Sequence, residues 1–269
     1  MLDGSIDERI DLGHACNALQ KNTRHLTSLM RNVTAPESPA IGTWSIHDVA
    51  IHVTDGMENY ARRIQRQPAS ELDAIRDMAR WNVETVDRLP RTPLPELADR
   101  MERAADDFIV IARSMELHDQ VPWYAGFSIP VVVSVSLRLV EHIIHGYDIA
   151  MTARHPWPID RDDAVEMTYG LAYTSPHFVD PDRLNFEGTI KIHIRGERPF
   201  FFVIQRRELR VQTSNKGRVG FHISADPVAW VLASTERMRR ASAALTGRII
   251  GWGFRPLMPF KLQAASFQG

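Results

Sequence analysis

Glu141 and His145 stand four residues apart, so on a helix their side chains leave the same face one turn from each other, with Asp148 a further turn along. A third possible donor, His52, lies far upstream. Two imidazoles and one carboxylate are a familiar donor set for catalytic zinc or another divalent metal, and they leave a fourth position open for water, a thiolate or substrate. A cation there stabilises an adjacent anion, so the chemistry on offer is the making of a nucleophile near neutral pH. Asp148 reads either as an acceptor for a ligating imidazole or as a surface charge near the helix end. Spacing by itself favours a solvated helix face, because Glu and His recur at this interval on surfaces. The completeness of the donor set is what raises the metal reading.

The elements that must position these residues are mostly helical. A long helix is expected from Pro130 to about Arg154, with Val132, Val133, Ser136, Val140, Ile143, Ile144 and Tyr147 on one side. Ser134, Arg138, Glu141, His145 and Asp148 fall on the opposite side, which predicts a two-faced helix. His52 belongs to a helix that opens at a Ser45/Asp48 capping box, carries Ile46, Val49, Ala50, Val53 and Met57 as its buried stripe, and runs to about Gln65. Residues 5–31, 71–89 and 95–115 also have helical period. Together these five stretches predict an N-terminal all-α four-helix bundle over residues 1–154, four of them being its main helices.

His155-Pro-Trp-Pro158 cannot continue a helix, and the domain boundary is placed there. Beyond it the period becomes strand-like over 188–195, 199–205, 209–213 and 219–223. Asp226 then opens a helix read as ending in the basic run Arg237–Arg240, followed by a turn at Leu245–Arg248. Residues 159–269 are therefore expected to form an α+β domain.

Composition narrows the function classes. With 32 basic and 33 acidic side chains in 269 residues, no basic surface argues for nucleic acid. The N-terminus is acidic where a signal peptide would be basic, and the longest apolar run, Ile129–Val135, is too short for a membrane span, so a cytoplasmic protein with no membrane partner is expected. Cys16 is the only cysteine, and Leu12, Cys16, Leu19, Leu26 and Met30 place it on an apolar stripe, as a core residue rather than a nucleophile. Residues 118–128 form a loop in which Trp123 and Tyr124 either line a pocket or plug the bundle end.

The stretch Gly42-Thr-Trp-Ser-Ile-His-Asp-Val-Ala-Ile-His52, followed much later by Glu141-His-Ile-Ile-His-Gly-Tyr-Asp148, resembles the DinB-like, mycothiol-dependent maleylpyruvate isomerase family. In that family the corresponding residues bind the metal, which implies His52, Glu141 and His145 here. The order of short strands, Asp226-Pro-Val-Ala-Trp and Ala243-Ala-Leu-Thr-Gly-Arg248 is similar to a sterol-carrier-like C-terminal domain, although Ile250-Gly-Trp-Gly-Phe-Arg-Pro256 departs from the Gly-Asp pair such domains commonly show. The resemblance implies mycothiol as an external thiol cosubstrate, with Asp148, Trp123 and Tyr124 as candidate cofactor-contacting residues. Addition of the thiol to an electrophilic substrate would end in S-transfer or in cis–trans isomerisation. An acidic substrate needs a guanidinium, for which Arg248 and Arg138 are the candidates. A metal-dependent hydrolase and a hydrophobic-ligand carrier built on Phe200–Ile204 remain as alternatives.

Overall fold

The computed structural model describes residues 4–267. They divide into two units, residues 11–159 and residues 160–269 together with the segment up to Ile10. The helical period expected over residues 5–31 is thus interrupted. Asp7–Arg9 form one 3-10 turn, Ile10 and Asp11 are extended, and α1 (Leu12–Asn32) starts afresh where the Asp11 side chain accepts from the His14 amide. Arg9 explains why the segment groups with the second unit, since its guanidinium donates to the carbonyls of Arg198 and Pro199.

The first unit is an α-helical bundle of α1, α2 (Ile46–Ile64), α4 (Leu94–Ser114) and α5 (Val131–Ala153), with the short α3 (Met78–Arg88) against α2. The Ser45/Asp48 capping box is present, and it sets where α2 begins and hence the phase of His52. The third helical stretch begins seven residues later than expected, at Met78, after a turn at Ile75–Asp77. Two small hairpins that periodicity had not suggested, β1 (Pro39–Ile41) with β2 (Trp44–Ser45) and β3 (Gln120–Pro122) with β4 (Ser128–Pro130), brace the entrances to α2 and α5.

The two-faced reading of α5 is overturned. Every side chain from Val131 to Val140 is buried, and Ser134, Arg138, His145 and Asp148 are buried with the aliphatic residues. The helix packs against α1, α2 and α4, so its polar ridge faces protein instead of water. It ends where Arg154 adopts a left-handed conformation, φ 57°, ahead of the two prolines.

The second unit contains a five-stranded sheet in the order β7-β6-β5-β8-β9, from β5 (Gly188–Ile194), β6 (Phe200–Gln205), β7 (Glu208–Gln212), β8 (Phe221–Ala225) and β9 (Ile249–Gly253). Only β5 and β8 run parallel. One face, with Ile190, Ile192, Ile194, Phe200 and Ile204, is buried. α6 (Arg161–Thr174), which periodicity missed because it is buried nearly all round, packs with α7 (Pro227–Ser234). α7 stops at Ser234, before the basic run, and Arg240 instead opens α8 (Arg240–Leu245); β9 and α9 (Met258–Ala265) complete the chain. The fold class is the one expected: an all-α bundle plus an α+β domain. No helix among the described residues is long and apolar enough to cross a membrane.

Two contacts in the bundle have measurable consequences. Trp157 folds back so that its indole N–H donates to the Ile143 carbonyl at 3.0 Å, and its ring stacks on His25 at 4.1 Å. A Cβ added at Gly146 would lie 2.0 Å from the Trp157 ring. Gly146→Ala should therefore displace Trp157 and cost about 2–3 kcal/mol of stability by chemical denaturation. Elsewhere, Arg31 of α1 grips Glu102 of α4 through both guanidinium nitrogens at 2.9 Å. Those hydrogen bonds from Arg31, with one from Thr27, hold the Glu102 carboxyl down at about 2. A depressed folded value contributes stability at pH above the ordinary carboxylate range and loses it as pH falls toward 2. Because the pair is about one-third exposed, the contribution is screened to about 1 kcal/mol. Glu102→Gln is expected to destabilise by that amount at pH 7 in urea titrations and by nothing near pH 2.

Candidate metal centre

α2 and α5 bring His52, Glu141 and His145 together, with one donor atom of each within 4.8 Å of the others. Glu141 Oε2 is the hub, 3.4 Å from His52 Nε2 and 3.4 Å from His145 Nε2. A tetrahedral ion with bonds of about 2.1 Å separates its donors by about 3.4 Å, which both carboxylate–imidazole spacings match, while the two imidazole donors lie within 4.8 Å of each other. The imidazoles meet edge to face at 5.0 Å. Each is also braced from behind. Trp44 lies against the His52 ring at 4.9 Å, and the Asp148 carboxylate approaches His145 Nδ1 at 3.2 Å, leaving Nε2 to point at the centre.

The electrostatics follow from burial of unlike groups. Burial raises the Glu141 carboxyl, but hydrogen bonds from His145 and His52 and the charge of Arg138 outweigh it and hold the group well below its ordinary range. Burial lowers His145, yet Asp148 and Glu141 bring it up to about 8. His52 lacks a second carboxylate, and burial takes it down. His142, next to Glu141 but turned toward α1, bonds Thr23 Oγ1 through Nδ1 at 2.8 Å; burial and the Arg138 charge lower it to about 3, so it is neutral.

Arg138 sits one turn before Glu141, 5% exposed, with its guanidinium carbon 3.5 Å from the Tyr60 ring centroid. Gly56, between His52 and Tyr60 on α2, leaves the room it occupies; a Cβ there would stand 3.3 Å from Nη1. The Arg138 Nε has no hydrogen-bond partner, and among the described residues no carboxylate pairs with the side chain within 4.0 Å. Trp123 and Tyr124 are buried, at 3% and 6% exposure. The Trp123 indole donates to Tyr60 Oη at 2.7 Å, and Arg63 covers the Tyr124 ring at 4.5 Å while donating to the Trp123 carbonyl. These aromatic residues therefore form a packed layer next to Arg138. Arg248 belongs to the second unit, where it is bound to Asp226 at 2.7 Å.

Sequence reasoning missed Tyr60 and Trp44. The signal for Tyr60 was its position two turns after His52, on the same face of α2. For Trp44 it was its place in the Gly42–His52 motif, although its contact with His52 depends on the β1–β2 hairpin. Arg138→Met removes the charge that helps keep Glu141 ionised while leaving a buried apolar side chain of similar length. Stability should change by no more than about 1 kcal/mol. The pH at which added divalent metal is released on acidification should move up, as measured by metal content after dialysis.

Comparison with known proteins places this geometry in context. No curated protein matches the chain in sequence. Solved structures of similar fold include the following two. The mycothiol-dependent maleylpyruvate isomerase is 12% identical, with 87% of this chain and 92% of that chain covered at a TM-score of 0.51. A histidine-to-alanine mutant of a mycothiol-dependent maleylpyruvate isomerase is 11% identical, with 92% and 95% covered at a TM-score of 0.53. The sequence profile of the mycothiol maleylpyruvate isomerase N-terminal domain matches residues 18–150, which hold all three candidate ligands. The helical bundle of this chain is similar in sequence to the N-terminal domain of the mycothiol maleylpyruvate isomerase family.

Proposed function

We propose that this protein is a metal-dependent enzyme that activates mycothiol for addition to an electron-poor double bond, as a maleylpyruvate-type cis–trans isomerase or a thiol S-transferase. The observation that carries the reading is the meeting of His52 and His145 on Glu141 Oε2, each at 3.4 Å, inside a bundle that matches this family's N-terminal domain. Those three residues would hold a divalent cation, for which zinc suits the two imidazoles and one carboxylate. When bound, such an ion supplies a Lewis acid that favours the anionic form of a thiol brought to its open position.

The chain's own residues do the rest. Asp148 orients His145, Trp44 backs His52, and Arg138 offsets the buried charge of Glu141. Cys16 is fully buried and its thiol is pushed up by burial, which supports an external thiol as the nucleophile. Sulfur would add to the double bond; rotation about the resulting single bond and expulsion of the thiol gives the isomer, and retention of the C–S bond gives the conjugate. For an acidic substrate, Arg138 is the better placed of the two proposed arginines, since it has no carboxylate partner whereas Asp226 engages Arg248. Trp123 and Tyr124 are proposed to shape the same region through Tyr60.

The test begins with metal analysis of the purified protein and titration of mycothiol by calorimetry, with and without chelator. Stoichiometric zinc and chelator-sensitive thiol binding are expected. His145→Ala should reduce metal content at least about tenfold. Retention of full metal by that variant would remove the ligand assignment, and metal without thiol affinity would favour water as the nucleophile.

A further inference from the structure

The metal centre leaves the open face of the second unit's sheet unexplained. Among the described residues ten large apolar side chains are exposed, and six of them fall between Leu245 and Phe260. Ile250, Trp252 and Phe254 are about half exposed (49%, 50% and 51%), and alternation along β9 puts all three on one side of the sheet. That side is opposite the one bearing Ile190, Ile192 and Phe200, because Trp252 pairs across to His222 and His222 to Lys191. Trp252 stacks on His222 at 5.3 Å. Leu257 and Phe260 follow at 64% and 65% exposure. β9 is also an edge strand, and no Lys, Pro or acid within it guards the edge.

The charge around this patch is mostly positive, with Glu187, whose carboxylate accepts from the Arg206 amide, as an acid at the groove. Residues 237–269 contain six Arg or Lys and no Asp or Glu, in a chain whose formal net charge is −1. Phe254 is flanked by two guanidiniums, Arg218 at 3.9 Å and Arg255 at 5.8 Å from the ring centroid. Neither forms an ion pair among the described residues; Arg255 donates only to the Glu187 carbonyl. Together with Thr189, Val203 and Gly220 they line a groove of about 430 Å³ at the end of the open face. At Gly220 the Met258 sulfur and the Arg255 side chain lie over the backbone, 2.7 and 3.2 Å from where a Cβ would stand, so glycine there lets both pack against the strand.

We propose that this face docks on an anionic phospholipid bilayer, with Trp252, Phe254, Leu257 and Phe260 entering the interface and Arg218 and Arg255 holding a lipid phosphate in the groove. Exposed aromatic and aliphatic side chains edged by arginine and lysine are the composition of proteins that lie on a membrane without spanning it. The same charge argues against a second copy of the chain as occupant, since two such faces would repel.

The test is co-sedimentation of the full chain with vesicles of phosphatidylcholine alone and with about 30% phosphatidylglycerol. Binding at least about tenfold stronger to the anionic vesicles is expected, released by about 0.5 M NaCl. Arg218→Gln with Arg255→Gln should abolish the preference for phosphatidylglycerol, and Trp252→Ala should weaken binding at least about fivefold. The arginine pair is at the surface, so its loss leaves folding intact and keeps the test decisive if the tryptophan variant misfolds. Equal binding to both vesicles, or none, overturns the proposal. So does saturable binding of inorganic phosphate without vesicle binding, which would make the groove a site for a free phosphate, or equally strong binding to polyglutamate, which would make it a surface for acidic proteins.

Discussion

The Glu141 carboxylate, bracketed by two imidazoles and kept ionised beside a buried guanidinium, is the constraint to which the bundle is built. A carboxylate in that position is costly unless every neighbour answers its charge. Its neighbours come from two helices of different sequence origin, so the register of α2 against α5 has to be held within a fraction of a turn. The Ser45/Asp48 box sets the start of α2, the β1–β2 hairpin feeds it, and Gly56 opens the gap that admits Arg138. On α5, Pro130 and the left-handed Arg154 mark the ends, and Trp157 closes over Gly146 just beyond His145.

Around that carboxylate the polar groups are arranged in layers with distinct tasks. His52 and His145 present Nε2 atoms, while Asp148 and Trp44 fix their rings. Arg138 carries an unanswered donor and a cation–π contact with Tyr60, and Tyr60 ties this layer to the Trp123 loop. Buried polar networks of this kind usually lower stability relative to an apolar core, and they persist where function requires them. The bundle tolerates the arrangement because its remaining interior, with Leu19, Met57, Met101, Phe108 and Leu139, is closely packed and apolar.

The second unit follows another logic. One sheet face is a conventional core of isoleucine and phenylalanine, whereas the other carries His222, Trp252 and Phe254 with arginines at its margin. A surface of this composition is expensive in water, and Arg218 and Arg255 form no ion pair among the described residues that would reduce that cost. Its chemistry belongs to what it meets, not to the folding of the unit itself.

Much of this was legible in the sequence for identifiable reasons. The four long helices follow from periodicity, α2 from its capping box, and the strands from alternation, because each depends on residues a few positions apart. His52, Glu141 and His145 could be nominated from donor chemistry and motif resemblance, yet the spacing of Glu141 and His145 on α5 by itself favoured a solvated face. Only tertiary structure decided that the ridge points inward, since the burial of a helix face depends on its neighbours and not on its own period. The same holds for α6, whose uniform burial erased its pattern, for the attachment of residues up to Ile10 to the second unit, and for Tyr60 and Trp44. Local physics determined which elements form and which donors exist; packing between distant segments determined that three of those donors share one point.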